Sequence, residues 1–319
     1  MGSYIIRRIL LAVIVLLLAT IFVFIATHVL PGDPIYMMIS SSEASSLTDE
    51  ELAIIRHKYG LDKTLPEQYF AWLGQVIFHG EFGKSIMLDT PVTQLWGERI
   101  PVTLHLGLVA FAIGIPLGVT AGVLCAVRRG TWIDTLVTSL ANIGVCIPVF
   151  WLAILLIYLF GLELGLLPVY GYTAPWQGLW MSTQQSVMPI FCLAITPIAM
   201  NCRLTRSSML EVIRQDYIRT AWSKGLKERV IIIRHALKNG IIPVITMLGM
   251  GVVFIIGGAV FIEQVFAIPG MGRLTVNAML GHDFPIIQGN IVLFSTVVLL
   301  SNLIVDLCYG WLDPRVRYQ

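Results

Sequence analysis

The sequence predicts an all-α membrane protein with six transmembrane helices, and three observations carry that prediction. Hydrophobic residues fill 56% of the 319 positions and charged residues only 13%, at a mean hydropathy of +0.81. A soluble domain is about a quarter charged, so this chain has too few ionised groups to cover a water-facing surface. Six apolar runs approach the roughly 20 residues that a helix needs to cross a ~30 Å hydrocarbon core. Lys and Arg concentrate in alternate connecting segments, which assigns each segment a side.

The first run, residues 9–29, follows Arg7 and Arg8. It is longer than the 7–15 residues or so of a signal-peptide core, and no small-x-small cleavage site precedes Pro31, so it is expected to be a retained span. The second, 102–127, carries Gly107, Gly114, Gly118 and Gly122, a ridge of small residues that lets helices approach closely in lipid. The third covers 135–160. The fourth, 187–201, contains Pro189 and Pro197 and is expected to kink. The fifth covers 240–262 and the sixth 286–309, where Asp306 is the single charge.

With the N-terminus in the cytoplasm, 15 of the 21 Lys and Arg fall on the cytoplasmic side, nine of them between Arg203 and Lys238. Ten of the 19 acidic residues lie between Asp33 and Glu98, on the other side, and the outer connection 161–186 has no Lys or Arg. Both termini are therefore expected inside. The chain divides into the N-terminal end with the first span (1–30), an extracytoplasmic segment (31–100), a core of five spans (101–310) and a cytoplasmic tail (311–319).

The outer segment is too long for a bare connection. Ser41, Ser42, Ser45, Ser46 and Thr48, followed by Asp49-Glu50-Glu51, read as a loop leading into a capped helix. In 66–78, Tyr69, Leu73, Val76 and Ile77 recur at helical spacing, so a small helical subdomain is expected. His79-Gly-Glu-Phe-Gly-Lys-Ser85 imitates a phosphate-binding loop, but two residues separate its glycines where that motif needs four, and no strand precedes it. The five cysteines and six histidines are scattered, without disulfide or metal-binding spacing, so no metal site is expected.

The connection between the fourth and fifth spans, 203–239, is the most informative. Met209, Leu210, Ile213, Tyr217 and Ala221 form an apolar stripe, while Arg206, Glu211, Arg214, Arg219 and Lys224 take other faces. This is an amphipathic helix, and Gly225 ends it as a cap would. A second helical run, 227–238, leads into span five. The stripe requires a cover: a partner protein, the chain's own helices, or the headgroup layer.

These residues resemble a known family. Asp216-Tyr-Ile-Arg-Thr-Ala-Trp-Ser-Lys-Gly-Leu226, with Arg234-His-Ala-Leu-Lys-Asn239 and Ile242-Pro243, is similar to the cytoplasmic "EAA" loop of ABC importer permeases, in the dipeptide, oligopeptide and nickel branch. Ala221 and Gly225 keep that motif's spacing, while Arg219 and Thr220 replace its first two positions. The motif's later Ile-x-Leu-Pro is absent at the general spacing. Further matches are Tyr4-Ile-Ile-Arg-Arg8, Leu30-Pro-Gly-Asp-Pro34, Tyr59-Gly-Leu-Asp62, Gln68-Tyr69, Gly80-Glu-Phe-Gly-Lys-Ser85, Pro269-Gly-Met-Gly-Arg273, Asp283-Phe-Pro285, Asp306-Leu-Cys-Tyr309 and Asp313-Pro-Arg-Val-Arg-Tyr318. Their order over the chain carries the resemblance.

The resemblance implies a type I ABC importer permease fold, with a cytoplasmic coupling helix between helices 4 and 5. The permease would sit in the inner membrane, pair with a second, homologous permease, and receive solute from an extracytoplasmic binding protein. Two ATPase subunits would bind ATP and Mg and dock on the loops; no cofactor is expected in this chain, and no nucleic acid. The docking helix would run about 211–224, placing Glu211, Ile213, Asp216, Tyr217, Arg219, Thr220, Ala221, Lys224, Gly225 and Leu226 in the coupling loop, with Ile213, Tyr217 and Ala221 in an ATPase groove. Asn142, Asn201, Thr246, Ser295 and Asn302 are polar residues within spans, where path lining competes with bonding to a neighbouring helix. Asp306 either pairs with Arg203 or Arg206 or reaches the interface. The branch carries short peptides, nickel, glutathione and some sugars, and peptide is the leading expectation. A secondary transporter would need ionisable residues near the midplane, and an intramembrane hydrolase a catalytic constellation within spans; neither pattern is found. A membrane scaffold without transport would leave the coupling loop unexplained.

Overall fold

The computed structural model describes residues 2–29 and 62–312, without the side chains of 2–5, 28–29, 246, 248–250, 254–255 and 306–312. The serine-rich stretch 41–48, Leu30-Pro-Gly-Asp-Pro34, most of Tyr59-Gly-Leu-Asp62, the Asp306 side chain and the C-terminal Asp313-Pro-Arg-Val-Arg-Tyr318 therefore lie outside the described residues. Among the described residues the fold is helical, with no strand and a single antiparallel bridge between Lys84 and Pro91.

The helices are α1 (Gly2–Val29), α2 (Leu65–His79), α3 (Val92–Val127), α4 (Trp132–Cys146), α5 (Val149–Leu156, continued by a π-helical turn Ile157–Glu163) and α6 (Leu179–Val212). They are followed by α7 (Asp216–Ser223), a run α8 built from Glu228–Val230, π-helical Ile231–Leu237 and Lys238–Gly240, then α9 (Ile242–Val265), α10 (Met271–Leu280) and α11 (Phe284–Leu312). By length and composition α1, α3, α6 and α11 can each cross a membrane, and the bent pair α4–α5 makes a fifth candidate.

Two elements differ from the sequence reading, and a third, α6, is continuous through its prolines. The run 135–160 is broken into α4 and α5, which meet at 104°. Pro148 supplies no N–H to continue the ladder and pushes the residue before it out of the helical region; Ile147 is extended accordingly, at φ −70° and ψ 123°. Conversely, α6 runs unbroken through Pro189 and Pro197, and the Asn201 side-chain amide donates to the Pro197 carbonyl at 2.9 Å. Finally, α3 begins at Val92, well ahead of 102, because Val92, Leu95 and Trp96 are buried and extend the helix beyond its apolar run.

The chain forms two compact units. The first combines Met1–Val102 with Pro269–Leu303. Its core is Val92, Leu95, Trp96, Met271, Leu274, Ala278, Ile286 and Ile287. A polar chain runs through it: Trp96 Nε1 donates to Asn290 Oδ1 at 2.7 Å, and Asn290 Nδ2 donates to Thr275 Oγ1 at 2.8 Å. In the same unit α2 lies on α1, where Tyr69 meets Phe24 edge-on at 5.4 Å and its hydroxyl bonds with Thr20 Oγ1 at 2.9 Å. The phosphate-loop look-alike is a structural connection here. Gly80 (φ 67°) caps α2, Gly83 (φ 90°) turns the chain, and Ser85 Oγ donates to Asp283 Oδ2 at 2.5 Å.

The second unit combines Thr103–Ile268 with Ile304–Gln319. Its spine is the approach of α3 to α6. A Cβ added at Gly118 would stand 2.7 Å from the Ile198 carbonyl oxygen, and one at Gly122 2.5 Å from that of Cys202. The small-residue ridge is thus a contact face, and only hydrogen fits at these positions. Cys125, Ala141, Ala199 and Cys202 close the core between α3, α4 and α6.

Candidate functional site

The basic connection 203–239 folds as a compact lobe at the end of α6 within the second unit. Helix α6 carries into it and stops at Val212; Gln215 is extended (φ −69°, ψ 149°) and starts α7. The helix expected over 211–224 is therefore two pieces, and α7 has its own phase. That reset moves the buried face. Ile218 (1% exposed) and Ala221 (7%) turn inward and pack with Ala126, Met209, Ile231 and Ala236. Tyr217 (43% exposed) and Trp222 (50%) turn outward. Burying a side chain the size of isoleucine contributes about 1.5–3 kcal/mol, enough to choose the phase of a helix this short.

Of the ten loop residues expected to couple, Glu211, Asp216, Tyr217, Arg219, Thr220, Lys224, Gly225 and Leu226 are exposed, Ile213 is half-buried and Ala221 is buried. A stripe of Ile213, Tyr217 and Ala221 on one outward face is thus not formed, because Ala221 belongs to the chain's own core. The outward apolar surface consists instead of Tyr217, Trp222, Leu226, Val230 and Ile233. Sequence reasoning passed over Ile218 and Trp222. The signal was available in the polar Gln215-Asp216 pair, which places an acid in the first turn of a new helix.

The lobe is held by polar contacts as well. Tyr217 Oη accepts from Asn239 Nδ2 at 2.9 Å, linking α7 to the end of α8. Arg219 lies 3.4 Å from Asp216, an exposed pair of small energetic weight. Lys224 and Gly225 donate their backbone N–H groups to Thr220 and Trp222 carbonyls, and Gly225 takes the left-handed conformation (φ 71°) expected of its cap.

Behind the lobe, Arg206 binds Asp134 in a two-pronged ion pair, Nε to Oδ1 at 2.7 Å and Nη2 to Oδ2 at 2.9 Å. Asp134 also accepts from Gly130 N and Thr138 Oγ1. It precedes the apolar run that starts at 135, and Arg206 follows the run that ends at 201. Arg206 thus has its partner in Asp134, a contact with no local signature in the sequence.

The polar span residues are dispersed. Asn201 lines a cavity of about 510 Å³ with Thr196, Met200, Arg203, Met247 and Gly251. Asn142 is exposed on α4, Ser295 is half-buried and Asn302 exposed on α11, and the Thr246 side chain lies outside the described residues. One buried acid escaped the sequence reading: Glu263, fully buried at the end of α9, accepts from Thr103 Oγ1 at 2.5 Å.

Comparison with known proteins covers nearly the whole chain. Residues 114–318 match the family model described as the binding-protein-dependent transport system inner membrane component, and residues 1–107 match the N-terminal model of the same membrane components. A protein of Brucella abortus named as a peptide transport system permease is 42% identical over 319 residues, covering all of both chains. A Sinorhizobium fredii protein named as a peptide ABC transporter permease is 39% identical over 318 residues, again covering both fully. The glutathione transport system permease protein of Escherichia coli is 35% identical over 319 residues and all of both chains.

Proposed function

The chain belongs to the family of binding-protein-dependent transport system inner membrane components, and from that premise we propose that it is one permease subunit of an ATP-driven peptide importer, forming half of the translocation path with a second, homologous permease. The full-length identity to relatives named for peptide transport supports the solute class. Glutathione, itself a tripeptide, is the second reading, on the strength of the Escherichia coli relative.

The observation that carries the mechanism is the lobe 203–239. Its inner face is packed on the chain, and its outer face presents Tyr217, Trp222, Leu226, Val230 and Ile233 among Arg219, Lys224 and Arg229. In our reading this face docks into a groove of an ATPase subunit. Two such subunits bind ATP and Mg, so the chain itself catalyses nothing and needs no cofactor. Closure of the ATPase pair pushes on α7. The push passes through Ile218 and Ala221 to Met209 on α6 and Ala126 on α3, and so to the spans. Coupling of this kind requires a contact that differs between two states.

The remaining proposals follow. Helix α9, 24 residues long, is the sixth span in addition to α1, α3, α4–α5, α6 and α11. The basic lobe lies in the cytoplasm with both termini, and the acidic segment faces the binding protein outside.

The test is uptake of labelled dialanine and glutathione by proteoliposomes holding this chain, the second permease, both ATPases and the binding protein. Uptake of dialanine that requires ATP and the binding protein is the expected result. Uptake of equal rate without the ATPases would make the chain an ion- or gradient-driven carrier.

A further inference from the structure

The first unit contains a cavity of about 640 Å³ that the proposed coupling mechanism does not use. Its wall is formed by the loop at Met87, the start of α3 at Arg99, the helix α10 from Gly270 to Asn277, and Asp283. This volume suits a small organic solute.

Among the described residues, two polar atoms in the wall are buried without a partner. Asp283 is 1% exposed. Its Oδ2 accepts from Ser85 Oγ at 2.5 Å and from Met87 N at 3.1 Å, while its Oδ1 accepts from no described residue. Arg99 is half-buried, and its Nε–H is sealed from solvent with no acceptor. An unpaired buried carboxylate oxygen and an unpaired buried guanidinium N–H each oppose folding. A fold that retains both on one cavity has a use for them. Asp283 is held rigidly by the loop, so Oδ1 is presented in a fixed place. Arg273 adds a second positive charge to the wall, leaving it with one carboxylate and two guanidinium groups.

A cavity that offers a carboxylate oxygen and a guanidinium fits a ligand carrying both an ammonium and a carboxylate. We propose that this cavity receives a zwitterionic short peptide, its ammonium on Asp283 Oδ1 and its carboxylate on Arg99. The assignment rests on the peptide-importer reading. It gives the permease its own recognition of both peptide termini, separate from that of the binding protein.

The test uses the full permease–ATPase complex in lipid nanodiscs without binding protein, so that only the permeases and ATPases contact the ligand. Equilibrium binding is measured for dialanine, N-acetyl-dialanine and dialanine amide. Wild type is expected to bind dialanine about tenfold tighter than either blocked form, the scale of one charge-assisted hydrogen bond. Arg99→Gln is expected to lose about tenfold for dialanine and nothing for the amide. Asp283→Asn is expected to lose about tenfold for dialanine and nothing for the N-acetyl form. Arg99→Gln removes no hydrogen bond present in the structure, so it keeps the test decisive if Asp283→Asn fails to accumulate. Equal binding of all three ligands, absence of dialanine binding to wild type, or wild-type binding by Arg99→Gln would each overturn the proposal. Uptake with binding protein and ATP separates the two readings. A complex that imports dialanine yet gives any of those results keeps its function and loses this site, whereas one that imports no peptide removes the premise.

Discussion

Asp134 shows how single residues tie helices together in this protein. It is 5% exposed and accepts four hydrogen bonds, two of them from Arg206. Removing one partner leaves the other charge buried, which is far more costly than removing both. Arg206→Gln is therefore expected to lower the thermal midpoint of the purified subunit by the equivalent of about 1–3 kcal/mol, discounted because Arg206 is partly exposed. The double variant with Asp134→Asn is expected to recover part of that loss, a coupling measurable as a double-mutant cycle. Ile218 and Tyr217 make a second residue-scale contrast. Ile218→Asp places a charge in a closed apolar core and is expected to abolish accumulation of folded subunit. Tyr217→Asp is on the open face and is expected to leave insertion and midpoint within about 0.5 kcal/mol of wild type, less the single bond to Asn239.

At the scale of elements, what the sequence disclosed depended on whether its periodicity was unbroken. Gly114, Gly118 and Gly122 of α3 form one ridge, and the structure puts them against α6. Gly118→Leu is expected to push α3 off α6, lowering the yield of folded subunit severalfold, while Gly97→Leu, where a Cβ meets nothing within 4 Å, is expected to be tolerated. The helix at 65–79 was equally legible from Tyr69, Leu73, Val76 and Ile77. The helix of the 203–239 connection was legible in its existence and cap but not in its face. A three-residue interruption at 213–215 resets the phase, and a stripe read across it assigns Ala221 to the wrong side. Pro148 was visible in the sequence, yet a proline within an apolar run does not announce whether the helix bends, as at Ile147, or continues, as through Pro189 and Pro197. Contacts between distant segments, such as Ser85 with Asp283 or Asp134 with Arg206, have no local signature at all.

For the molecule as a whole, the account is a division of labour. The first unit gathers the loop 83–92, α10 and the start of α11 around a core with its own polar chain. The second unit carries the basic lobe and the close α3–α6 contact. Membership of the inner-membrane component family, over nearly the full chain, joins these features to a transport system. The central claim is that the open face of α7 transmits ATPase closure to the spans. The most direct measurement is the ATPase rate of the reconstituted complex, with and without loaded binding protein, for wild type and for Tyr217→Asp combined with Trp222→Asp. The account predicts that the variant inserts and assembles with the second permease, yet loses both stimulation by loaded binding protein and solute uptake. Stimulation and uptake at the wild-type rate in that variant would contradict it, and would place the coupling contact elsewhere on the chain.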